Sequence, residues 1–247
     1  MESSPLLKKG ERLLDLELKG LRIIQDPQLF CFGLDSVLLS GFVRVSAGAA
    51  VLDLGTGSGI LPLLLSAKTV DTHFTGLEIQ ASSVDMARRS VSLNALEDRI
   101  DIIEGDIREA GALFYGRPFD AVISNPPYME LGSGKVNPES AKSIARHEIL
   151  CTLKDVIRAA GMVLKSKGAF FMVHRPKRLE DIFISLKDNS LNPVRLRFVH
   201  PSSGKDAEMA LIEARKDSRS ALKVESPLIV YGEDGEYSAE LKEKYGY

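Results

Sequence analysis

The sequence predicts an α/β fold, a mostly parallel seven-stranded sheet with helices on both faces and a short N-terminal entry segment. From about Ala49 short apolar runs alternate with longer amphipathic stretches, as strands joined by crossover helices do. A glycine cluster, Gly55, Gly57 and Gly59, follows the first run, where a strand turns into a helix. The composition agrees: 247 residues, 44% apolar and 27% charged, with 20 Gly and 11 Pro, are those of an ordinary folded chain and exclude a collagen-like or disordered one.

The six leading strands fall near residues 50–54, 73–78, 100–104, 120–124, 169–173 and 194–200, and a seventh, 207–214, closes the sheet. Helices fit between them at 59–68, 81–95, 108–114, 147–165 and 177–189. The helix over 81–95 repeats Val84, Ala87, Val91 and Ala95 at spacings of three or four, one face of a helix. Gly161 and Gly168 bracket the expected end of the long helix. Ahead of the sheet, residues 16–25 alternate well enough for one strand, and Asp35-Ser36 can cap a helix through Phe42. Residues 1–48 are too short for a separate domain and are expected to pack on a single domain formed by residues 49–247. The stretch Gly132-Ser133-Gly134-Lys135-Val136-Asn137-Pro138 is rich in backbone-permissive residues and reads as a mobile loop.

No run approaches the roughly 18 apolar residues that span a bilayer. The start, Met1-Glu2-Ser3-Ser4-Pro5, lacks the layout of a secretory signal, and Cys31 and Cys151 make no disulfide framework, so the expected location is the cytoplasm. The net charge of -2 hides a segregation. Residues 146–223 hold 16 Lys or Arg against 9 Asp or Glu, whereas the tail after Lys223 holds six acidic and two basic residues. Arg175, Lys177, Arg178, Arg195, Arg197 and Lys205 are the candidates for a phosphate-binding surface, and a solvated helix or sheet face fits the same residues.

In Asp53-Leu54-Gly55-Thr56-Gly57-Ser58-Gly59 the glycines let a ligand approach the backbone. The spacing G-x-G-x-G departs from the dinucleotide pattern G-x-G-x-x-G. Glu78 closes the next strand, where a carboxylate can accept from both ribose hydroxyls, and Asp106 follows the third strand. Each carboxylate alone also fits a helix cap or a loop charge. Three at consecutive strand ends, with no clustered arginine, suit a ligand with a cationic part and no phosphates, a description that S-adenosylmethionine meets.

This order of features resembles the class I S-adenosylmethionine-dependent methyltransferases over roughly residues 49–175. The resemblance implies a Rossmann-like fold in which Asp53, Gly55 and Gly57 line the methionine part of the cofactor. It also implies Glu78 on the ribose, Asp106 at the adenine amino group and Ile107 against the ring, with Ile79 among the cofactor-binding residues.

Ser124-Asn125-Pro126-Pro127-Tyr128 follows the fourth strand. Neither proline has an N–H, and a residue before proline is pushed toward extended geometry, so this main chain offers carbonyls and little donation. Asn125 adds a side-chain carbonyl, and Tyr128 can stack on a flat group. Together Asn125, Pro126, Pro127 and Tyr128 form an acceptor-rich notch for a planar NH2, whose delocalised lone pair makes alignment matter more than a strong base. None of the four His is assigned as a base, and none has metal-ligand spacing, so no metal is expected.

The motif is similar to that of methyltransferases acting on adenine N6, guanine N2 or the glutamine amide of release factors. The glutamine enzymes usually carry a larger helical domain ahead of the glycine loop, and only 52 residues precede Asp53. Residues 20–25, Phe30 to Gly33 with Asp35 and Leu38-Leu39, then Ala145-Arg146-His147-Glu148, Arg175-Pro176-Lys177-Arg178 and Pro227-Leu228-Ile229-Val230-Tyr231, look like the bacterial tRNA(Val) adenine N6-methyltransferases. That resemblance implies a tRNA partner, the adenosine 3′ of the anticodon as substrate, and Phe30, Phe32 and Asp35 closing over cofactor and base. A non-catalytic RNA-binding protein on the same fold is the rival from another class, and a dehydrogenase a weaker one. No oligomeric state follows, a monomer being the simplest reading.

Overall fold

The structure, a computed structural model, describes residues 7–29, 31–126 and 151–245. Five parallel strands form the centre of the sheet: β3 (Ala50–Leu54), β4 (His73–Glu78), β5 (Ile100–Glu104), β6 (Phe119–Ser124) and β7 (Leu164–His174). β9 (Met209–Lys216) runs antiparallel between β7 and β8 (Leu191–His200). Two short strands absent from the sequence reading, β10 (Lys223–Val224) and β11 (Leu228–Ile229), both pair with β8, so the sheet has nine strands instead of seven. The order is β10-β8-β9-β7-β6-β3-β4-β5.

Successive residues of a central strand enter opposite layers, as a two-residue period requires. Val51, Phe171 and Val173 join one apolar cluster, while Leu52, Phe170 and Met172 join the other. The first layer is closed by α1 (Leu34–Phe42), α2 (Ile60–Lys68) and α3 (Ala81–Leu93), together with Ile23 and, from the C-terminal α7 (Ala239–Tyr245), Leu241. The second is closed by α4 (Ala110–Leu113), α5 (Leu153–Val163) and α6 (Leu179–Asp188). Within the described residues, no helix is long and apolar enough to cross a membrane.

Several boundaries differ from the expected ones. Residues 16–25 do not make one strand: β1 (Arg12–Asp15) pairs antiparallel with β2 (Arg22–Gln25), and Glu17, Lys19 and Gly20 turn the chain with φ of 51°, 50° and 72°. Apolar residues recur at 16, 18, 21 and 23, a one-residue change of phase at Lys19-Gly20 that marks the reversal and that a single strand over 16–25 passes over. α1 starts at Leu34 with Gly33 at its N-cap and no side-chain cap, one residue before the expected Asp35. The helix expected over 147–165 is described from Leu153, where Thr152 and Asp155 form a reciprocal capping box. It ends at Val163, and β7 begins directly at Leu164. Gly161 therefore lies inside α5, where a Cβ would stand 2.9 Å from the Asn189 carbonyl oxygen, and Gly168 lies inside β7. β8 begins at Leu191 and absorbs Pro193 at a register shift against β9, where a missing N–H is tolerated. The glycine-rich loop expected over 132–138 lies outside the described residues.

The glycine turn is built by close packing from below. A Cβ on Gly76 of β4 would stand 2.7 Å from Thr56 Cγ2 and 2.9 Å from Ile102 Cδ1. Gly76→Ala is expected to lower unfolding stability by about 1–3 kcal/mol through overpacking, read as a lower urea midpoint at unchanged m-value.

Candidate active site at the carboxyl edge of the sheet

Because β3 to β6 run parallel, their carboxyl ends share one edge. The strand order reverses at β3, which has β4 on one side and β6 on the other, and ligands of open α/β sheets bind in the crevice at such a reversal. The chain leaves β3 through Gly55, Gly57 and Gly59 at φ of 76°, 56° and 86°, a left-handed path that a Cβ would strain. The Gly55 and Thr56 N–H groups both donate to the Leu77 carbonyl, at 2.9 and 3.1 Å, which fastens the turn to β4. Space around the Cβ position of Gly57 is open, and Ile107 Cδ1 lies 3.8 Å from that of Gly55.

Three carboxylates stand on this edge in different states. Asp53, 1% exposed, has neither oxygen hydrogen-bonded, and the buried Thr56 hydroxyl beside the turn has no partner either. Burial, partly offset by the nearby Thr56 hydroxyl and reinforced by the negative Glu78, pushes the Asp53 carboxyl up to about 7. A carboxyl so placed accepts either a proton or a cationic ligand. Glu78 is also buried, but it accepts from the Gly57 N–H at 3.0 Å and the Gln80 N–H at 2.9 Å, which leaves about two of its four acceptor sites. Asp106 caps the turn Ile107–Glu109 by accepting from the Arg108 N–H at 2.8 Å. The Arg108 guanidinium also grips Asp106 and holds its carboxyl below the usual carboxylate range. Ile79 follows β4 and Ile107 follows β5, and both are half-buried, as are Phe32 just before α1 and Asp35 in its first turn.

Asn125 follows the end of β6 and is half-buried. The preceding Ser124 donates from its hydroxyl to the Leu54 carbonyl at 2.8 Å, tying the carboxyl end of β6 to that of β3. The Asn125 side-chain nitrogen donates to the Ser36 hydroxyl of α1 at 3.0 Å. This contact spans 89 positions of sequence and had no sequence signal, Ser36 having been read only as part of a helix cap. Pro127, Tyr128 and Phe30 lie outside the described residues, as does Ala145-Arg146-His147-Glu148.

The basic candidates divide. Arg195 is 7% and Arg197 8% exposed, so neither belongs to a phosphate-facing surface. Arg195 pairs with Glu213 at 2.8 Å, donates to the Phe42 carbonyl at 2.6 Å and lies 3.7 Å over the Phe42 ring. Arg197 pairs with Glu240 at 2.7 Å and donates to the Ser226 carbonyl at 2.9 Å. Their spacing puts both on the face of β8 that α1 and the C-terminal segment cover. Arg175, Lys177 and Arg178 instead follow the carboxyl end of β7, and Lys205 lies in the loop between β8 and β9. Arg175 donates to the Glu208 carbonyl at 3.1 Å, which joins the two loops on the edge that carries Asn125. Lys177 and Lys205 are exposed, and Arg178 pairs with Asp181 at 2.9 Å. His174, at the base of these loops, is buried and accepts from the Arg175 N–H at 2.8 Å. Burial, with the positive Arg178 nearby, pulls it down to about 4, so it is neutral at physiological pH. Among the described residues no group of His, Cys, Asp and Glu could hold a metal ion.

The sheet order, the single antiparallel strand β9 and the carboxylates around the glycine turn define a class I, Rossmann-like methyltransferase fold. A family model described as the methyltransferase small domain matches residues 21–187, and the chain belongs to that family. It is 27% identical over 230 residues to a Bacteroides thetaiotaomicron protein named tRNA1(Val) (adenine(37)-N6)-methyltransferase, covering 92% of this chain and 93% of that one. A crystal structure of a predicted O-methyltransferase from Agrobacterium tumefaciens superposes with a TM-score of 0.69 at 25% identity, over 86% of this chain and 95% of that one. The Thermus thermophilus 16S rRNA N2 G1207 methyltransferase, solved with AdoMet and guanosine, shares the fold with a TM-score of 0.60 at 23% identity, over 87% of this chain and 53% of that one.

The state of Asp53 makes stability depend on pH. Its carboxyl sits at about 7 folded against an ordinary 3.8, so the folded state binds the extra proton and is penalised as pH rises through that interval. Asp53→Asn is expected to melt above the wild type at pH 8 and to lose that advantage progressively toward pH 4, in thermal scans without ligand. A melting difference independent of pH would contradict the unpaired buried carboxyl.

Proposed function

We propose that the protein transfers a methyl group from S-adenosylmethionine to the exocyclic N6 amine of an adenine in tRNA, the adenosine 3′ of the anticodon of tRNA(Val). The observation that carries this reading is the placement of the Asn125 amide at the carboxyl end of β6, one strand from the buried, unpartnered carboxyl of Asp53. The name carried by the Bacteroides relative, matched along nearly its whole length, supports the same substrate.

The residues present fit the cofactor. Asp53, neither of whose oxygens is hydrogen-bonded, would meet the ammonium of the methionine part, with the open backbone at Gly55 and Gly57 beside it. The two acceptor sites left on Glu78 match the two hydroxyls of a ribose. Asp106, both of whose oxygens take N–H donors of Arg108, would meet an adenine amino group by sharing that pair, with Ile107 against the ring and Ile79 lining the cofactor. Phe32 and Asp35 would close this pocket from the start of α1. When bound, S-adenosylmethionine supplies an electrophilic methyl on a sulfonium.

The chain's own residues supply alignment and charge stabilisation. The Asn125 side-chain carbonyl and the main-chain carbonyls of Asn125 and Pro126 accept the two amine hydrogens, which favours a pyramidal nitrogen and gathers electron density on it. Forming the N–C bond would break the methyl–sulfur bond and release a neutral thioether; the nitrogen becomes positive, the same acceptors strengthen their hold, and one of its protons passes to water. His174, its Nδ1 occupied by the Arg175 N–H, is assigned no role as base. Pro127 and Tyr128 complete the notch, the Tyr128 ring stacking on the substrate base; one such stack returns roughly 1–3 kcal/mol of the unstacking cost. Arg175, Lys177, Arg178 and Lys205 receive phosphates along the same edge.

Labelled methyl from S-adenosylmethionine, offered to separated tRNA, rRNA, DNA and protein from cells lacking the gene, is expected to appear as N6-methyladenosine in tRNA. Label in another pool would overturn the substrate, and none anywhere would favour a non-catalytic RNA binder. Asn125→Ala is expected to cost on the order of 10² to 10³ in kcat, the loss of one transition-state hydrogen bond. Lys177→Ala combined with Lys205→Ala is expected to raise KM for tRNA several-fold, leave kcat unchanged and lower the salt slope of binding by about 2.

A further inference from the structure

We infer that Ser36 is a positioning residue for the acceptor notch, its hydroxyl holding the plane of the Asn125 side-chain amide; the inference rests on the reading of Asn125 given above. The terminal torsion of an asparagine is broad, so an unheld amide samples many orientations. Nδ2 and Oδ1 share one planar carbon. Tying Nδ2 to the Ser36 hydroxyl at 3.0 Å therefore also fixes where the carbonyl oxygen lies, and that oxygen is the acceptor a planar amine needs.

Both ends of the contact stand on immobile supports. Ser36 is 1% exposed and its N–H donates to the Gly33 carbonyl at 3.2 Å and to Asp35 Oδ1 at 2.9 Å. α1 is held farther along by Lys68 of α2, which donates to the Ser40 hydroxyl at 2.9 Å, and by Arg195, which donates to the Phe42 carbonyl at 2.6 Å. On the other side Ser124 fixes the end of β6 to β3 at 2.8 Å. The acceptor notch is thus built from two distant parts of the chain, with the N-terminal segment setting the orientation of a group that follows the fourth core strand.

The test is a double-mutant cycle combined with the side-chain amide NMR signal of Asn125, assigned by its loss in Asn125→Ala. Ser36→Ala is expected to lower single-turnover methyl transfer roughly tenfold, the scale of one lost hydrogen bond, with KM for tRNA within about twofold. In an Asn125→Ala background the same substitution is expected to cost nothing further. The Asn125 amide signal is expected to shift from its wild-type position in Ser36→Ala. Equal losses in both backgrounds, or an amide signal indifferent to Ser36→Ala, would overturn the inference. A wild type that methylates no tRNA adenine would overturn the proposed function instead, and the amide signal would still decide whether Ser36 holds Asn125.

Discussion

A carboxyl buried without a donor is expensive, and the edge that carries the site is organised around one. Asp53 lies between β4 and β6 with both oxygens unmatched, next to a turn that three left-handed glycines carry away from β3. The first amide groups of that turn are committed to the Leu77 carbonyl, and that of Gly57 to Glu78, so none turns back toward Asp53. The protein accepts a local cost that a cationic ligand removes on binding, and the packed layers on both faces of the sheet supply the stability that tolerates it.

Glu78 and Asp106 show how the same functional group is prepared differently by its neighbours. Two backbone donors orient Glu78 and leave it partly open, whereas the Arg108 guanidinium and amide occupy most of Asp106. Three carboxylates that look equivalent along the chain thus become an empty acceptor, a half-used one and a nearly filled one. Their order along the edge follows the strand order, because each lies at or just beyond the carboxyl end of a parallel strand.

The buried arginines serve the site indirectly. Arg195 crosses from β8 to α1 through the Phe42 carbonyl and ring, and Arg197 binds the C-terminal segment through Glu240 and Ser226. Leu241 and Val230 from that segment enter the same apolar cluster as Val37 and Leu38 of α1. β8 and the C-terminal segment therefore clasp the helix that carries Ser36, while the exposed cations stay on the neighbouring loops at the carboxyl edge.

Much of this architecture is local and was readable in the residues. The bounds of β3, β4 and β5 match the expected ones, since each is an apolar run ended by residues that break it. The glycines of the turn and the carboxylates at the strand ends were also apparent, because backbone sterics and hydrogen-bonding capacity belong to the residue itself. The N-terminal hairpin was not, its only mark being a one-residue change of phase at Lys19-Gly20. Nor was the fate of Arg195 and Arg197: a period of two says that they share a face, and whether water or a helix covers that face depends on segments remote in sequence, 153 positions in the Arg195 to Phe42 contact and 43 in the Arg197 to Glu240 pair. The bond between Asn125 and Ser36 is of the same kind. A side chain's donors and acceptors are written in the sequence, but its partner is set by packing, which brings remote segments together only in three dimensions.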